Sequence, residues 1–372
     1  MGPNPFLGVV YQWAGGLASA SCYLPFRSIR KWSWETYWLL QGLFAYLLAP
    51  LLVAFLLVPG VAAVLQHTPL HTLLLTYFWG LMWGVGALTF GLTIRYLGIA
   101  LGYTVAFGFT AAFGTLMPPL FRGEMPALLH HTPGQIILLG IGVCMVGITF
   151  SGMAGRSKEK ELDAAEKQKT VTEFNFPKGI LVAVFSGVMS ACFAYGLATG
   201  RPIAALARNV LLAHGHAVEW QNLPILVVVL LGGLTTNFLW CVVLMSRNGS
   251  AGQFWGLGDS AQAEKIASRI AAADLSINYL LCAAVGILWY LQFFFYSIGQ
   301  TKMGKYDFSS WTLLMASILI FSTVWGILLG EWNGTSRRTK VFVALGLAVL
   351  VFSTILVGYG NYLNVPMAPA AR

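Results

Sequence analysis

Ten long apolar stretches, separated by shorter polar intervals, run along the chain. Each has roughly 20 residues, the length that an α-helix needs to cross the hydrocarbon core of a bilayer. The predicted spans lie at about 6–25, 36–58, 71–94, 98–121, 134–153, 178–199, 222–246, 273–299, 308–330 and 340–361. The short alternating segments of a transmembrane barrel do not occur. The pattern therefore predicts an all-α polytopic membrane protein with ten transmembrane helices.

A Lys- and Glu-rich interval divides these spans into five and five. We predict a first five-helix unit at 1–153, a charged linker at 154–177 and a second five-helix unit at 178–372. Within the linker, the segment from Arg156 to Glu173 should form a short amphipathic turn at most.

Another polar interval, 247–272, is predicted to carry a short helix that lies at the membrane interface. Its apolar residues Ile266 and Ile270 are four apart, which puts them on one face of a helix. A helix with one apolar face can rest on the surface of the bilayer.

Short motifs recur at matching places in the two units. They are Gly16-Leu-Ala-Ser19-Ala20 and Gly187-Val-Met-Ser190-Ala191, Gly80-Leu-Met-Trp83 and Gly286-Ile-Leu-Trp289, and Gly123-Glu124 and Gly330-Glu331. An odd number of spans per unit inverts the second copy in the membrane, and inverted repeats of this kind are typical of transporters. We therefore predict two inverted five-helix repeats.

The basic residues predict the orientation. Of the 22 Lys and Arg residues, 16 fall on the side reached after odd-numbered spans, and six fall on the other side. Basic residues accumulate on the cytoplasmic side of membrane proteins. Both termini are therefore predicted outside the cytoplasm, with the charged linker inside.

Composition narrows the function classes. The chain is 57% hydrophobic and 9% charged, whereas a soluble protein carries about 25% charged residues. The net charge of +9 is spread over loops and makes no basic stripe, so we predict the lipid bilayer, and no nucleic acid, as a partner. The five cysteines lie in apolar runs without a CxxC pair, which favours small buried side chains. The N-terminus lacks the basic region of a cleavable signal.

Polar side chains inside apolar spans are the candidate chemistry, because each needs a partner there. The amides are Gln12, Asn237, Asn278 and Gln292, and the nearby aromatic residues are Trp83, Trp289, Tyr290 and Trp311. An amide donates and accepts hydrogen bonds at once, as a sugar hydroxyl requires, and aromatic rings can stack on a sugar. The competing interpretation is that the amides bond neighbouring helices and that the tryptophans fill the core or an interface belt.

The stretch from Gly286 to Trp311 holds the strongest candidates. Gln292 lies within an apolar helix, and a polar hinge follows before Asp307 opens the next span. We expect Gln292 to face a polar cavity, with Asp307 at its edge as the carrier of a coupled proton. Alternatively, Asp307 caps the next helix.

Glu35 is the second proton-coupling candidate. It begins span 2 beside a basic cluster, so an ion pair with Arg30 or Lys31 on the inner surface is the competing expectation. The histidines are predicted to lie in loops on the outer side, and His214-Gly-His216 lacks a third ligand with suitable spacing. No phosphate loop, nucleophile elbow or zinc motif occurs, so we predict no catalytic residue, no metal and no cofactor.

Several segments resemble the bacterial L-rhamnose–proton symporter family. They are Lys31-Trp-Ser-Trp-Glu-Thr36, Arg95-Tyr-Leu-Gly98, Trp289-Tyr-Leu-Gln-Phe-Phe-Phe-Tyr296 and Tyr306-Asp307 with Ser310-Trp311. The resemblance implies membership of the drug/metabolite transporter superfamily, whose ten helices form two inverted repeats. It also implies uptake of L-rhamnose or a related 6-deoxysugar with protons across the bacterial inner membrane by alternating access.

Two other functions stay open at this point. One is export of drugs or metabolites on the same scaffold, and the other is a membrane-embedded lipid-modifying enzyme. An enzyme would need His, Asp or Arg clustered at one interface, and the sequence offers no such cluster. Most of that superfamily keeps both termini in the cytoplasm, whereas the charge distribution here predicts the opposite. We follow the charges, because the bias is large.

Overall fold

The computed structural model describes residues 3–97, 99–161, 175–257, 270 and 272–364. Its regular elements are all helices, and this part of the chain contains no strand. The all-α prediction is therefore confirmed. The predicted interface helix around Ile266 and the linker residues 162–174 lie outside the described residues.

Eleven principal helices of the described residues build the fold. They are α1 (Pro5–Ser21), α2 (Trp34–Leu57), α3 (Leu70–Leu97), α4 (Ile99–Phe121), α5 (Thr132–Glu161), α6 (Phe176–Thr199), α7 (Arg201–Ala213), α8 (Leu223–Asn248), α9 (Ala272–Lys302), α10 (Ser310–Leu328) and α11 (Arg337–Leu363). Shorter helices occupy Tyr23–Phe26, Val61–Gln66 and Met125–His130, and 3-10 turns occupy Val218–Asn222, Ser250–Trp255 and Gly304–Ser309. Helix α2 contains a π-helical turn at Phe44–Leu48. Nine of these helices, all except α1 and α7, are long and apolar enough to cross a membrane.

Each predicted span overlaps one of these helices, but two boundaries differ. Helix α5 continues to Glu161, inside the predicted linker, and the Glu161 carboxylate accepts hydrogen bonds from Ser336 and Thr339 at the start of α11. Helix α7 lies between the predicted spans 178–199 and 222–246, where the sequence predicts no helix. Its buried residues follow a helical spacing, and they are Ile203, Ala204, Ala207 and Leu211.

The helices of the two predicted units interlock. Helix α1 packs mainly on α9 and α10, and α6 packs mainly on α3 and α4. Helices α2 and α9 are in contact, as are α8 and α3, while α5 and α11 form a long pair. Each unit therefore supplies packing partners to the other.

Glycines permit these close approaches. A Cβ at Gly80 would meet the carbonyl of Val229 in α8, and one at Gly286 would lie 2.6 Å from the carbonyl of Gln41 in α2. Likewise, a Cβ at Gly187 would lie 2.5 Å from Phe109 in α4. A larger residue at these positions would separate the helices.

The polar hinge after α9 is short. Lys302 ends the helix, Gly304 adopts a left-handed conformation with φ of 70°, and a 3-10 turn then leads into α10. The backbone N–H of Asn4 donates to the carbonyl of Lys302 at 3.0 Å. The hinge therefore lies on the same face of the bundle as the N-terminus.

Candidate functional site

An aromatic cluster fills the centre of the bundle around Phe193 of α6. Its ring centroid lies 4.4 Å from Phe293, 5.3 Å from Trp83 and 5.8 Å from Trp311. Tyr296 packs on Trp311 at 5.6 Å. The cluster brings the predicted residues Trp83 and Trp311 against the same phenyl ring. The indole N–H of Trp311 donates to the carbonyl of Thr110 at 2.9 Å, and this bond fixes the orientation of the indole.

Unpartnered polar atoms of α2, α8 and α9 lie close together beside this cluster. The Nδ2 atom of Asn237 is buried without a hydrogen bond to the described residues, and it lies against Gly42. Both amide atoms of Gln41 and the indole N–H of Trp289 are also buried there and make no hydrogen bond of regular geometry to the described residues. The hydroxyl of Tyr46 faces the side chains of Gln41 and Trp289. Sequence reasoning missed Gln41, although the rule that selected the other intramembrane amides would have found it.

The amides of Gln12 and Gln292 lie where α1 crosses α9. Gln12 is fully buried, and its Nε2 donates to the carbonyl of Tyr296 at 3.2 Å while its Oε1 has no partner among the described residues. Gln292 is 5% exposed and makes no hydrogen bond to the described part of the chain. Its backbone carbonyl would lie 3.0 Å from a Cβ at Gly15 of α1. Both side chains therefore keep hydrogen-bonding capacity in the core.

Two other predicted residues have different environments. Tyr290 is 1% exposed, and its hydroxyl is unpartnered within the described residues. Asn278 lies near the start of α9, where its Oδ1 accepts from the N–H of Arg30 at 3.2 Å and its Nδ2 donates to the carbonyl of Arg30 at 2.8 Å. Both ends of this amide therefore hold the backbone of the loop at Arg30 in place.

A polar vestibule opens on the face that carries the N-terminus. Its volume is about 390 Å³. The polar residues that line it are Arg201, Arg208, Asn209, Gln221, Asn222, Gln300, Thr301 and Asp307. A smaller cavity shares Arg201, Gln300 and Asp307 with it and reaches Tyr296 of the aromatic cluster. Asp307 lines both cavities, whereas Gln292, which the sequence predicts to face the same cavity, lines neither of them. The other predicted amides are also absent from both linings.

Asp307 lies between two arginines in the vestibule. Its Oδ2 accepts a hydrogen bond from Arg201 Nη2 at 2.7 Å, and its Oδ1 lies 3.8 Å from Arg122 Nη1. Oδ1 is buried and makes no hydrogen bond to the described residues. The side chain is 20% exposed, and Ser309, not Asp307, occupies the N-cap position of α10. The alternative role of Asp307 as the cap of α10 is therefore wrong.

Glu35 has a different partner from the one expected. Its carboxylate accepts from Ser250 Oγ at 2.7 Å and from Asn248 Nδ2 at 2.9 Å. Lys31 instead pairs with Asp274 at 3.4 Å. The expected ion pair with Arg30 or Lys31 is wrong, because the chain returns from α8 to place two neutral donors at this buried carboxylate.

A second ion pair near the vestibule was not predicted. Lys302 lies at the end of α9, where its side chain pairs with Glu219. It is only 6% exposed, whereas the sequence predicts the charged residues in loops. A buried lysine needs such a counter-charge.

The arrangement supplies neutral donors and acceptors in the core and charged groups at the mouth. Amide, phenol and indole groups can recognise hydroxyl groups, and rings can contact the apolar faces of a sugar. Among the described residues, no group of three or more His, Cys, Asp and Glu side chains is arranged to hold a metal ion. The described residues therefore place neutral hydrogen-bonding groups in the core and a carboxylate in the vestibule.

Known proteins resemble this chain along nearly its whole length. The family described as L-rhamnose-proton symport protein matches residues 1–362. The L-rhamnose-proton symporters of Klebsiella pneumoniae subsp. pneumoniae, Shigella flexneri and Salmonella paratyphi B are each 32% identical to it over 362 residues. Each alignment covers 95% of this chain and 97% of the relative.

Proposed function

The chain belongs to the L-rhamnose-proton symport protein family, and on this basis we propose that it imports L-rhamnose, or a related 6-deoxysugar, with protons across the bacterial inner membrane. The nine apolar helices and the family together indicate a multi-pass membrane protein. The observation that carries the proposal for this chain is the group of buried, incompletely hydrogen-bonded amides beside aromatic rings.

For the architecture, we propose ten spans in two inverted repeats. Helix α1 is the first of them and is added to the nine helices named above. Helix α1 has 17 residues, at the lower end of the length that can cross a bilayer, which is about 17 to 25 residues. The exchanged contacts support the repeat, since α1 lies on α9 and α10 as α6 lies on α3 and α4. The recurring glycines agree, because Gly80 faces α8 whereas Gly286 faces α2. This architecture is that of the drug/metabolite transporter superfamily.

The vestibule would then face the periplasm. This orientation follows from the charge bias of the loops, which puts the N-terminal face outside. Sugar would enter past Arg201 and Asp307, and the aromatic cluster around Phe193 would separate the vestibule from the amides. We propose that this cluster opens to one side at a time, so that the core is reached alternately from outside and inside.

In the core, Asn237, Gln292 and Gln12 would bond the sugar hydroxyls, while Trp83, Trp289 and Trp311 would contact the ring. The sugar hydroxyls lose their hydrogen bonds to water when they enter the core. New hydrogen bonds to these amides replace them, which makes binding favourable. Tyr290, with its unpartnered hydroxyl, is a further donor in this scheme.

Asp307 would carry the coupled proton. Its Oδ1 has no hydrogen bond within the described residues and can take the proton, while Oδ2 stays bonded to Arg201. Glu35 is the less favoured carrier, because its carboxylate already accepts two hydrogen bonds in a buried site away from the vestibule.

Uptake of labelled L-rhamnose into proteoliposomes tests the function. We expect the sugar to accumulate against its gradient when the outside is more acidic, and to equilibrate without accumulation when a protonophore is present. Accumulation that ignores the pH gradient would exclude proton symport. Transport of drugs or metabolites outward, with no sugar uptake, would favour an exporter of the same superfamily.

A further inference from the structure

Gln41 of α2 is a buried amide in which both side-chain polar atoms have open hydrogen-bonding positions. It is fully buried, and neither its Nε2 nor its Oε1 makes a hydrogen bond of regular geometry to the described residues, although the Tyr46 hydroxyl lies within reach of this amide. Most buried polar side-chain atoms in proteins have at least one partner. An amide with two open positions in an apolar core costs stability, so it requires a reason to be there.

The π-helical turn of α2 directs Gln41 and Tyr46 toward the same place. In a regular α-helix, residues five apart point about 140° away from each other. Here the N–H of Ala49 donates to the carbonyl of Phe44, five residues earlier, and Pro50 has no N–H to give to Tyr46. The wider turn brings the Tyr46 hydroxyl to face Gln41. Such π turns recur at functional sites.

Side chains near Gln41 also have open hydrogen-bonding positions. Asn237 Nδ2 is a donor without an acceptor in the described part of the chain, and the indole N–H of Trp289 lies near the Tyr46 hydroxyl without a hydrogen bond of regular geometry. Gln41 adds one donor and one acceptor, and Tyr46 adds a phenol. The four groups come from three helices, and all of them are uncharged.

The geometry points to Gln41 as the centre of a subsite that binds a pair of hydroxyl groups on a neutral polyol. This subsite deepens the proposed function and rests on it, since the sugar is then the molecule that fills it. A hydroxyl both donates and accepts, which is what the Gln41 amide needs, and its oxygen can accept from Asn237 and Trp289. An anion would find no cation among these four side chains.

The Gln41→Met variant tests this subsite. Met keeps the length of the side chain and removes both open polar atoms. We expect the empty carrier to unfold at a higher temperature, because an unsatisfied amide is gone, and to bind L-rhamnose roughly tenfold more weakly, because hydrogen bonds to the sugar are lost. Counterflow exchange measures the affinity without a proton gradient. The same change at the exposed Gln66 of the short helix Val61–Gln66 is the matched control.

Deoxy derivatives of L-rhamnose, each lacking one hydroxyl, sharpen the result. In the wild type, one or two of them should bind more weakly than L-rhamnose, and Gln41→Met should remove that difference for the same positions. Unchanged sugar affinity in Gln41→Met, or a lower unfolding temperature with affinity intact, would show that Gln41 only packs. If the wild type takes up no L-rhamnose, the proposed function fails. The subsite is then judged by whether any neutral sugar raises the unfolding temperature of the wild type but not of Gln41→Met.

Discussion

The vestibule holds charged groups in ion pairs, whereas the core holds neutral groups with open hydrogen-bonding positions. In the vestibule, Asp307 is partly exposed and lies between Arg201 and Arg122. In the core, Gln41 and Asn237 carry no charge and keep open hydrogen-bonding positions. An unpaired charge placed where these amides lie would be far more costly than a dipole, because water cannot solvate it.

A symporter must both take up a proton and bind its sugar, and these two regions suit one task each. Protons can reach a carboxylate at a water-filled mouth without crossing the apolar core first. A neutral sugar can be held in the core by neutral groups, whose cost when empty is modest compared with that of a buried charge. We therefore expect changes in the vestibule to affect coupling, and changes in the core to affect affinity.

Asp307→Asn should have the largest effect. It removes the proton acceptor but keeps the size of the side chain, so uphill accumulation should fall to the passive ratio of about 1, while counterflow exchange continues. Uptake into proteoliposomes with an imposed pH gradient, compared with counterflow, measures both. Glu124→Gln is the control, because Glu124 is a carboxylate paired with the same Arg122 at 3.6 Å. Full accumulation by Asp307→Asn would remove Asp307 from the coupling scheme.

Gln292→Ala should have an intermediate effect, on affinity. Loss of one or two hydrogen bonds to the sugar should weaken binding about tenfold in counterflow assays. Gln300→Ala is the matched control, since Gln300 lies on the same helix but lines the vestibule. If both variants bind the sugar as tightly as the wild type does, Gln292 is a packing residue. The assignment of sugar affinity to the core would then be wrong.

Arg201→Gln should have the smallest effect. It removes one partly exposed ion pair, so we expect uphill uptake to slow by about two- to fivefold at unchanged sugar affinity. Arg208→Gln, in the same vestibule, should not change uptake, because Arg208 has no ion pair with the described residues. Initial rates at saturating sugar measure both variants, and equal rates would show that the Arg201 pair is dispensable.

The apolar pattern predicted the helices well, because hydrocarbon length and backbone hydrogen bonding leave few other solutions. Asp307 was also predictable, as a carboxylate in a polar hinge between two spans. The partners of Glu35 were not, because Asn248 and Ser250 are more than 200 residues away and only the packing of α2 on α8 brings them together. Gln41 was within reach of the rule that selected the other intramembrane amides, but only the packing of α2 reveals that its side-chain atoms lack regular hydrogen bonds.

The packing of α1 on helices from the end of the chain bears on how this protein is made. Helix α1 leaves the ribosome first, yet its main packing surfaces, α9 and α10, are synthesised near the end. During most of translation, the open amide of Gln12 and the glycine-rich face of α1 must be covered by lipid or by the insertion machinery. Assembly of the finished bundle therefore waits for the last third of the chain, and truncated products should be recognised as incomplete.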